Sequence, residues 1–133
     1  MAVLGIDFGQ RRIGLALSEG FLTRPYLTLK NDKNFFRHLE EICTREGVKK
    51  IVIGLPEGKN QAKVKVFGEK IKKTVNLPTF FVSEVMSTRE ALTRLIQSGR
   101  SKKDRKKMLD ASAAAIILES YLNQDQSRTK DEV

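Results

Sequence analysis

Three carboxylates, Asp7, Glu84 and Asp110, stand where an α/β chain could present them to a hard cation. Asp7 closes the apolar run Val3-Leu4-Gly5-Ile6-Asp7-Phe8-Gly9, and Arg12-Ile13-Gly14-Leu15-Ala16-Leu17-Ser18 reads as a second strand folding straight back. A buried strand has no structural use for an acid at its tip, whereas a divalent cation needs oxygen ligands held on firm secondary structure. The competing reading is an aspartate that caps the turn before Gly9. Glu84 comes just after an apolar strand, Thr79-Phe80-Phe81-Val82, so it projects from a strand end as Asp7 does. Asp110 falls in the first turns of a closing helix, on the face of Ala113, Ala114, Ile117 and Tyr121 by three-and-four spacing. The neighbouring alanines let that helix approach the sheet, and its dipole favours an ionised Asp110. Taken singly, Glu84 reads equally well as a loop residue and Asp110 as a favourable charge at a helix start. What joins the three is a topology able to bring them to one edge. With one cysteine, Cys43, and one histidine, His38, the chain holds no zinc site of the usual ligand types, so any metal is oxygen-bound.

The second chemical feature is charge. The formal net charge is +9. Residues 100–107 carry six basic side chains in eight positions, Arg100, Lys102, Lys103, Arg105, Lys106 and Lys107, with no periodic apolar residue among them. That composition predicts a mobile or semi-ordered loop that attracts polyanions, against the plainer reading of a solvated charged surface. Together with Arg11 and Arg12 it would grip a nucleic-acid backbone rather than read bases.

The elements that must position these groups alternate between strand and helix. Tyr26-Leu27-Thr28-Leu29 reads as a third strand, with Pro25 suited to its beginning or to a sheet edge. Asp32 can cap a helix that carries Phe35, Phe36, Leu39, Ile42 and Cys43 and stops at Gly47. Ile51-Val52-Ile53-Gly54-Leu55 has the continuous apolar character of a strand covered on both faces. A helix follows over about 60–74, with Val64, Phe67, Ile71 and Val75 at helical spacing. After the strand at 79–82, Ser87 and Glu90 form a capping box for a helix whose buried stripe is Ala91, Leu92, Leu95 and Ile96, ending at Gly99. The last helix is expected from 107 or 108 to 122. The fold class is therefore α/β: one mixed sheet, its first three strands antiparallel and the rest parallel, with helices on both faces.

With 133 residues, 40% hydrophobic and 31% charged, the chain suits one domain over 1–122 and a polar tail over 123–133. No apolar run reaches membrane-spanning length, the N-terminus enters a strand at once, and an unpartnered Cys43 suits the cytoplasm as a small core residue. No exposed apolar stripe demands a second copy.

Gly5-Ile6-Asp7-Phe8-Gly9, then Arg11 to Ser18, Ile53-Gly54-Leu55-Pro56, and Asp110-Ala111-Ser112-Ala113-Ala114-Ala115-Ile116-Ile117-Leu118 resemble the YqgF family over about residues 2–122. The resemblance implies a ribonuclease H-like fold akin to Holliday junction resolvases. It also implies a nuclease that matures the small-subunit ribosomal RNA precursor, with the ribosomal small subunit as a further partner. By the same resemblance Asp7, Glu84 and Asp110 form the family's acidic triad, binding magnesium or manganese. Two such ions bridged by Asp7 could activate a water and stabilise the leaving oxygen of a phosphodiester. The chain departs from the family at Ser83-Glu84-Val85, where an Asp-Glu-Arg triplet is usual, and at Glu57-Gly58-Lys59-Asn60. Three other readings use the same residues. A junction-resolving DNA endonuclease would need the same acids. An actin-like ATPase or sugar kinase would share the opening motif but needs two lobes. A basic ribosome-assembly factor would bind RNA without turnover.

Overall fold

In the computed structural model, residues 2–20, 22–83, 93, 94, 96–99 and 101–125 are described, those at 104–107, 124 and 125 by backbone alone. Strands β1 (Ala2–Phe8), β2 (Arg12–Glu19) and β3 (Leu22–Lys30) pair antiparallel. Strand β4 (Val48–Leu55) joins β1 in parallel and β5 (Thr79–Ser83) joins β4 in parallel, giving the order β3-β2-β1-β4-β5. The mixed sheet expected from the sequence is thus present. The edge strand β3 starts earlier than its apolar run suggested. Pro25 lies within it, opposite Ala16, where the register shifts. An edge strand tolerates a residue that cannot donate to the ladder, and the irregularity absorbs it.

Side-chain alternation divides the core into two layers. Leu4 and Ile6 of β1, Ile13, Leu15 and Leu17 of β2, and Ile51 and Ile53 of β4 face helices α1 (Phe35–Glu46) and α2 (Gln61–Val75), where Phe35, Leu39, Val64, Phe67 and Ile71 meet them. The opposite face, with Ala16, Val52 and Val82, receives helix α3 (Lys102–Asp125) through Ala114, Ile117, Leu118 and Tyr121. At the start of α1, Asn34 occupies the cap position without a side-chain bond. Asp32 acts one turn earlier: its Oδ1 accepts the Asn34 N–H at 2.9 Å and its carbonyl accepts the Phe35 N–H at 3.1 Å. Gly47 ends α1 in the left-handed region at φ 65°, as its residue type predicts. The Tyr26 hydroxyl donates to Glu46 at 2.6 Å and ties the end of α1 to the edge strand.

Two expectations fail in the last third of the chain. Residues 102–107 are the first turns of α3, not a loop. Periodicity is missing there, but lysine and arginine are good helix formers, and a helix nucleated by the packed segment beyond Leu109 propagates into them at little cost. Ile96, assigned to a buried stripe, is 52% exposed. The helical residues near it meet α3 through Arg94, whose Nη1 lies 2.9 Å from Glu119 Oε1. Two positions further on, a helical side chain points to the far side. The capping box at Ser87 and Glu90, and Ala91, Leu92 and Leu95, lie outside the described residues.

Cys43 is buried in the α1 layer, and burial, with the Glu40 charge second, pushes its thiol up to about 11 from 9.0. At pH 8 the thiolate fraction falls about a hundredfold below that of a free cysteine. Labelling of the native chain by a disulfide-exchange reagent should therefore be slower than labelling of the urea-unfolded chain by at least that factor. Comparable rates would show that α1 opens readily.

Candidate active site

The parallel strands β1, β4 and β5 all finish at one edge, near Phe8, Leu55 and Ser83, the side on which open α/β sheets bind ligands. Asp7 is the penultimate residue of β1 and is 9% exposed. It shares a face with Gly5, on which Ala114 and Leu118 of α3 rest, so its carboxylate lies on the α3 side of the sheet.

Directly opposite Asp7 in the antiparallel pair is Gly14. A methyl group at Gly14 would stand 2.0 Å from the Asp110 carbonyl oxygen and 2.8 Å from the Ala111 nitrogen. The α3 backbone is seated on this glycine, which brings Asp110 to the strand beside Asp7. Ala111 and Ala114, both buried, lie on this contact, as their small size predicted, whereas Ala113 is buried apart from it with Ile116 and Leu109. Glycine within a strand is the sequence signal for such close approach.

Arg12, first residue of β2 and on the same face, donates from Nε to Asp110 Oδ2 at 2.8 Å. The hydrogen bond, then the charge, raise the Arg12 pKa further above its ordinary value. Side-chain exposures of 59% for Arg12 and 25% for Asp110 make this a solvated pair with a small share in stability. It does put a cation on one of the two acids. Arg11 is exposed in the β1–β2 turn, where its carbonyl accepts the Asn31 N–H at 2.9 Å.

Lys102 and Lys103 are exposed in the first turn of α3; Arg105, Lys106 and Lys107 follow in the same helix. Glu84 and Arg100 lie outside the described residues, although β5 delivers the chain to this edge at Ser83, beside Leu55. Among the described residues no three metal-ligating side chains converge. Asp7 and Asp110 supply two hard oxygen donors, the ligand chemistry that magnesium and manganese take.

On the other side of Asp7, a cleft of about 490 Å³ opens between the ends of β1 and β4 and the start of α2. Phe8, Pro56 and Val64 give it an apolar lining, and Gln10, Glu57, Asn60 and Lys63 a polar one. Nothing in local periodicity pointed to it, because it is assembled from two segments distant in sequence, 8–10 and 56–64.

Residues 1–124 match a family model described as RuvX: Holliday junction resolvase. A protein of Clostridium acetobutylicum named "Putative pre-16S rRNA nuclease" is 38% identical, the match spanning 92% of this chain and 98% of the relative. A relative of the same name from Caldanaerobacter subterraneus is 36% identical over 96% of this chain and 99% of its own length. Among solved structures, Thermus thermophilus RuvC in complex with a Holliday junction substrate superposes with a TM-score of 0.62 at 16% identity, covering 100% of this chain and 99% of that one. The fowlpox virus resolvase complexed with Holliday junction DNA gives 0.63 at 14% identity, covering 96% and 100%. At these identities the two structures establish the ribonuclease H-like fold expected from the sequence.

Proposed function

This chain belongs to the RuvX family, and from that premise we propose that it is a metal-dependent nuclease that hydrolyses phosphodiester bonds in the precursor of 16S ribosomal RNA. One observation carries the reading: Gly14 seats α3 so closely that Asp110 comes to lie beside Asp7 at the carboxyl edge of the sheet. We assign Asp7, Asp110 and Glu84 as the ligands of magnesium or manganese. The two acids on view fit such an ion: both are hard oxygen donors on regular secondary structure, and one already attracts a cationic side chain. A pair of bound divalent ions would supply Lewis-acid activation of a water and charge stabilisation of the leaving oxygen.

The chain's own residues do the rest. Strand β1, hydrogen-bonded on both sides, holds Asp7 in a fixed position, and α3 does the same for Asp110. Arg12 holds Asp110 in place until a phosphate competes for the guanidinium, whose planar fork suits that anion. Arg11, Arg12, Arg100, Lys102, Lys103, Arg105, Lys106 and Lys107 draw in the RNA backbone. A ribosomal RNA precursor as substrate makes the cytoplasm the working compartment and the small subunit the expected partner.

The test is cleavage of an end-labelled 16S precursor RNA with magnesium, with manganese and with chelator, run beside a four-way DNA junction. Metal-dependent cutting of the RNA at its 5′ side, faster than cutting of the junction, is expected. Preferential junction cutting would move the substrate to branched DNA, and RNA binding with no cutting in any metal would leave only an assembly role.

Arg12→Gln gives a second check. Because the ion pair is solvated, the melting temperature should stay within a degree or two of the wild type. RNA affinity should fall, and the slope of log affinity against log salt should flatten by about 0.7, one phosphate's share on a single strand. An unchanged slope would remove Arg12 from the RNA contact.

A further inference from the structure

We propose that the cleft at the end of β1 is a nucleobase subsite, which takes one unstacked base of the RNA strand as it passes the carboxyl edge of the sheet. The inference rests on the nuclease reading for its substrate and on the cleft's own chemistry for its occupant. Its volume, about 490 Å³, lies in the range of about 300–1,000 Å³ typical of small-ligand pockets. Phe8 follows Asp7 at the end of β1, so the cleft opens at the same strand end as the acids, on the opposite face of the sheet.

The lining discriminates between a base and a second phosphate. A phosphate site needs converging N–H donors, but here Lys63 is the one cationic side chain of the lining among the described residues, Glu57 adds a carboxylate that offsets it, and Phe8, Val64 and Pro56 offer apolar surface. A planar heterocycle wants that combination of flat apolar contact and a polar edge. The Phe8 ring is fixed by Phe67 at 4.4 Å between centroids, and Phe67 by Phe35 at 5.6 Å, so a base would meet an already ordered wall.

At the rim, Asn60 occupies the cap position of α2 yet makes no capping bond, and its amide offers both a donor and an acceptor. Gln10 brings a second amide, exposed in the β1–β2 turn. Glu57 accepts only, which selects bases with an exocyclic amino group, adenine, cytosine and guanine, over uracil.

Binding of the wild-type chain, in chelator to prevent turnover, is measured to single-stranded RNAs of about 12 nucleotides with one abasic residue moved along the strand. An abasic residue keeps its phosphate, so the scan separates a base subsite from a phosphate site. Removal of the base at one position should weaken binding by about 5- to 150-fold, the span of single base–aromatic contacts. Asn60→Trp, at an exposed position, should fill the cleft and abolish that single step. At the same position adenine should outbind uracil, and Glu57→Gln should erase the difference. Small penalties spread evenly along the strand, or a step that survives Asn60→Trp, would overturn the subsite. Metal-dependent cleavage of the precursor alongside an even scan would sink the subsite alone, whereas failure of every RNA to bind would sink the nuclease reading with it.

Discussion

Asp7→Asn is expected to lower the rate of RNA cleavage at saturating metal by at least about a thousandfold, the equivalent of the several kcal/mol that metal-ion stabilisation contributes to such transition states. Asparagine has nearly the shape of aspartate and keeps one oxygen, so β1 retains its pairing to β2 and β4. What is lost is the negative charge at a 9% exposed position beside Asp110. The substitution changes no packed volume, so the variant should fold and melt within a few degrees of the wild type. RNA binding, which rests on the arginines and lysines, should stay within a few fold. A chain that is as stable, binds as well and does not cut isolates the metal site as the lost function. Cleavage within tenfold of the wild type would remove Asp7 from that site, and absence of cleavage in both proteins would favour the assembly-factor reading.

The sequence exposes the parts of this fold that obey a local rule. The apolar run at 51–55, the spacing of Ala114, Ile117 and Tyr121, and Gly47 after Phe35 to Cys43 each have one structural solution, and each is found, whereas Ala113, expected on the same face, is buried in a separate cluster with Ile116. The family resemblance, read from motifs at both ends of the chain, agrees with the match over residues 1–124. Local rules fail where pairing across the chain decides. The start of α3 lacks apolar periodicity, so only propensity and propagation speak for a helix there. Ile96 points outward because Arg94 meets Glu119, a contact made 25 residues along the chain. The ion pair of Arg12 with Asp110 spans 98 residues, and neither position announces it. The cleft is likewise a product of tertiary assembly. Gly5 and Gly14 did carry a readable signal, since strand interiors rarely include glycine without a backbone pressing on it.

Gly14→Ala is expected to cost roughly 3 kcal/mol or more, above the usual range for overpacking because the obstacles are backbone atoms. The new methyl group would meet the Asp110 oxygen at 2.0 Å, its carbonyl carbon at 2.2 Å and the Ala111 nitrogen at 2.8 Å, and no side chain can swing aside to admit it. Strand β2 cannot retreat, being hydrogen-bonded to β1 and β3, so α3 must lift. That loosens the seam at Ala114, Ile117 and Leu118 and should lower the melting temperature by on the order of 10 °C. Gly5→Ala is the graded comparison. Its nearest contacts, the Ala114 oxygen and Leu118 Cβ, lie at 2.9 Å, one turn or more from Asp110, so its cost should be smaller. Denaturant melts rank the two variants, and cleavage rates measured where both are fully folded separate stability from function. If close packing at Gly14 serves to seat Asp110 beside Asp7, Gly14→Ala loses activity out of proportion to its stability, because the displaced carboxylate leaves Asp7 without its neighbour. Gly5→Ala, displacing α3 further from the acids, keeps most of its activity. Equal activity losses at equal folded fraction would mean that the helix–strand contact serves the core alone, and a Gly14→Ala chain within 1 kcal/mol of the wild type would refute the close approach itself.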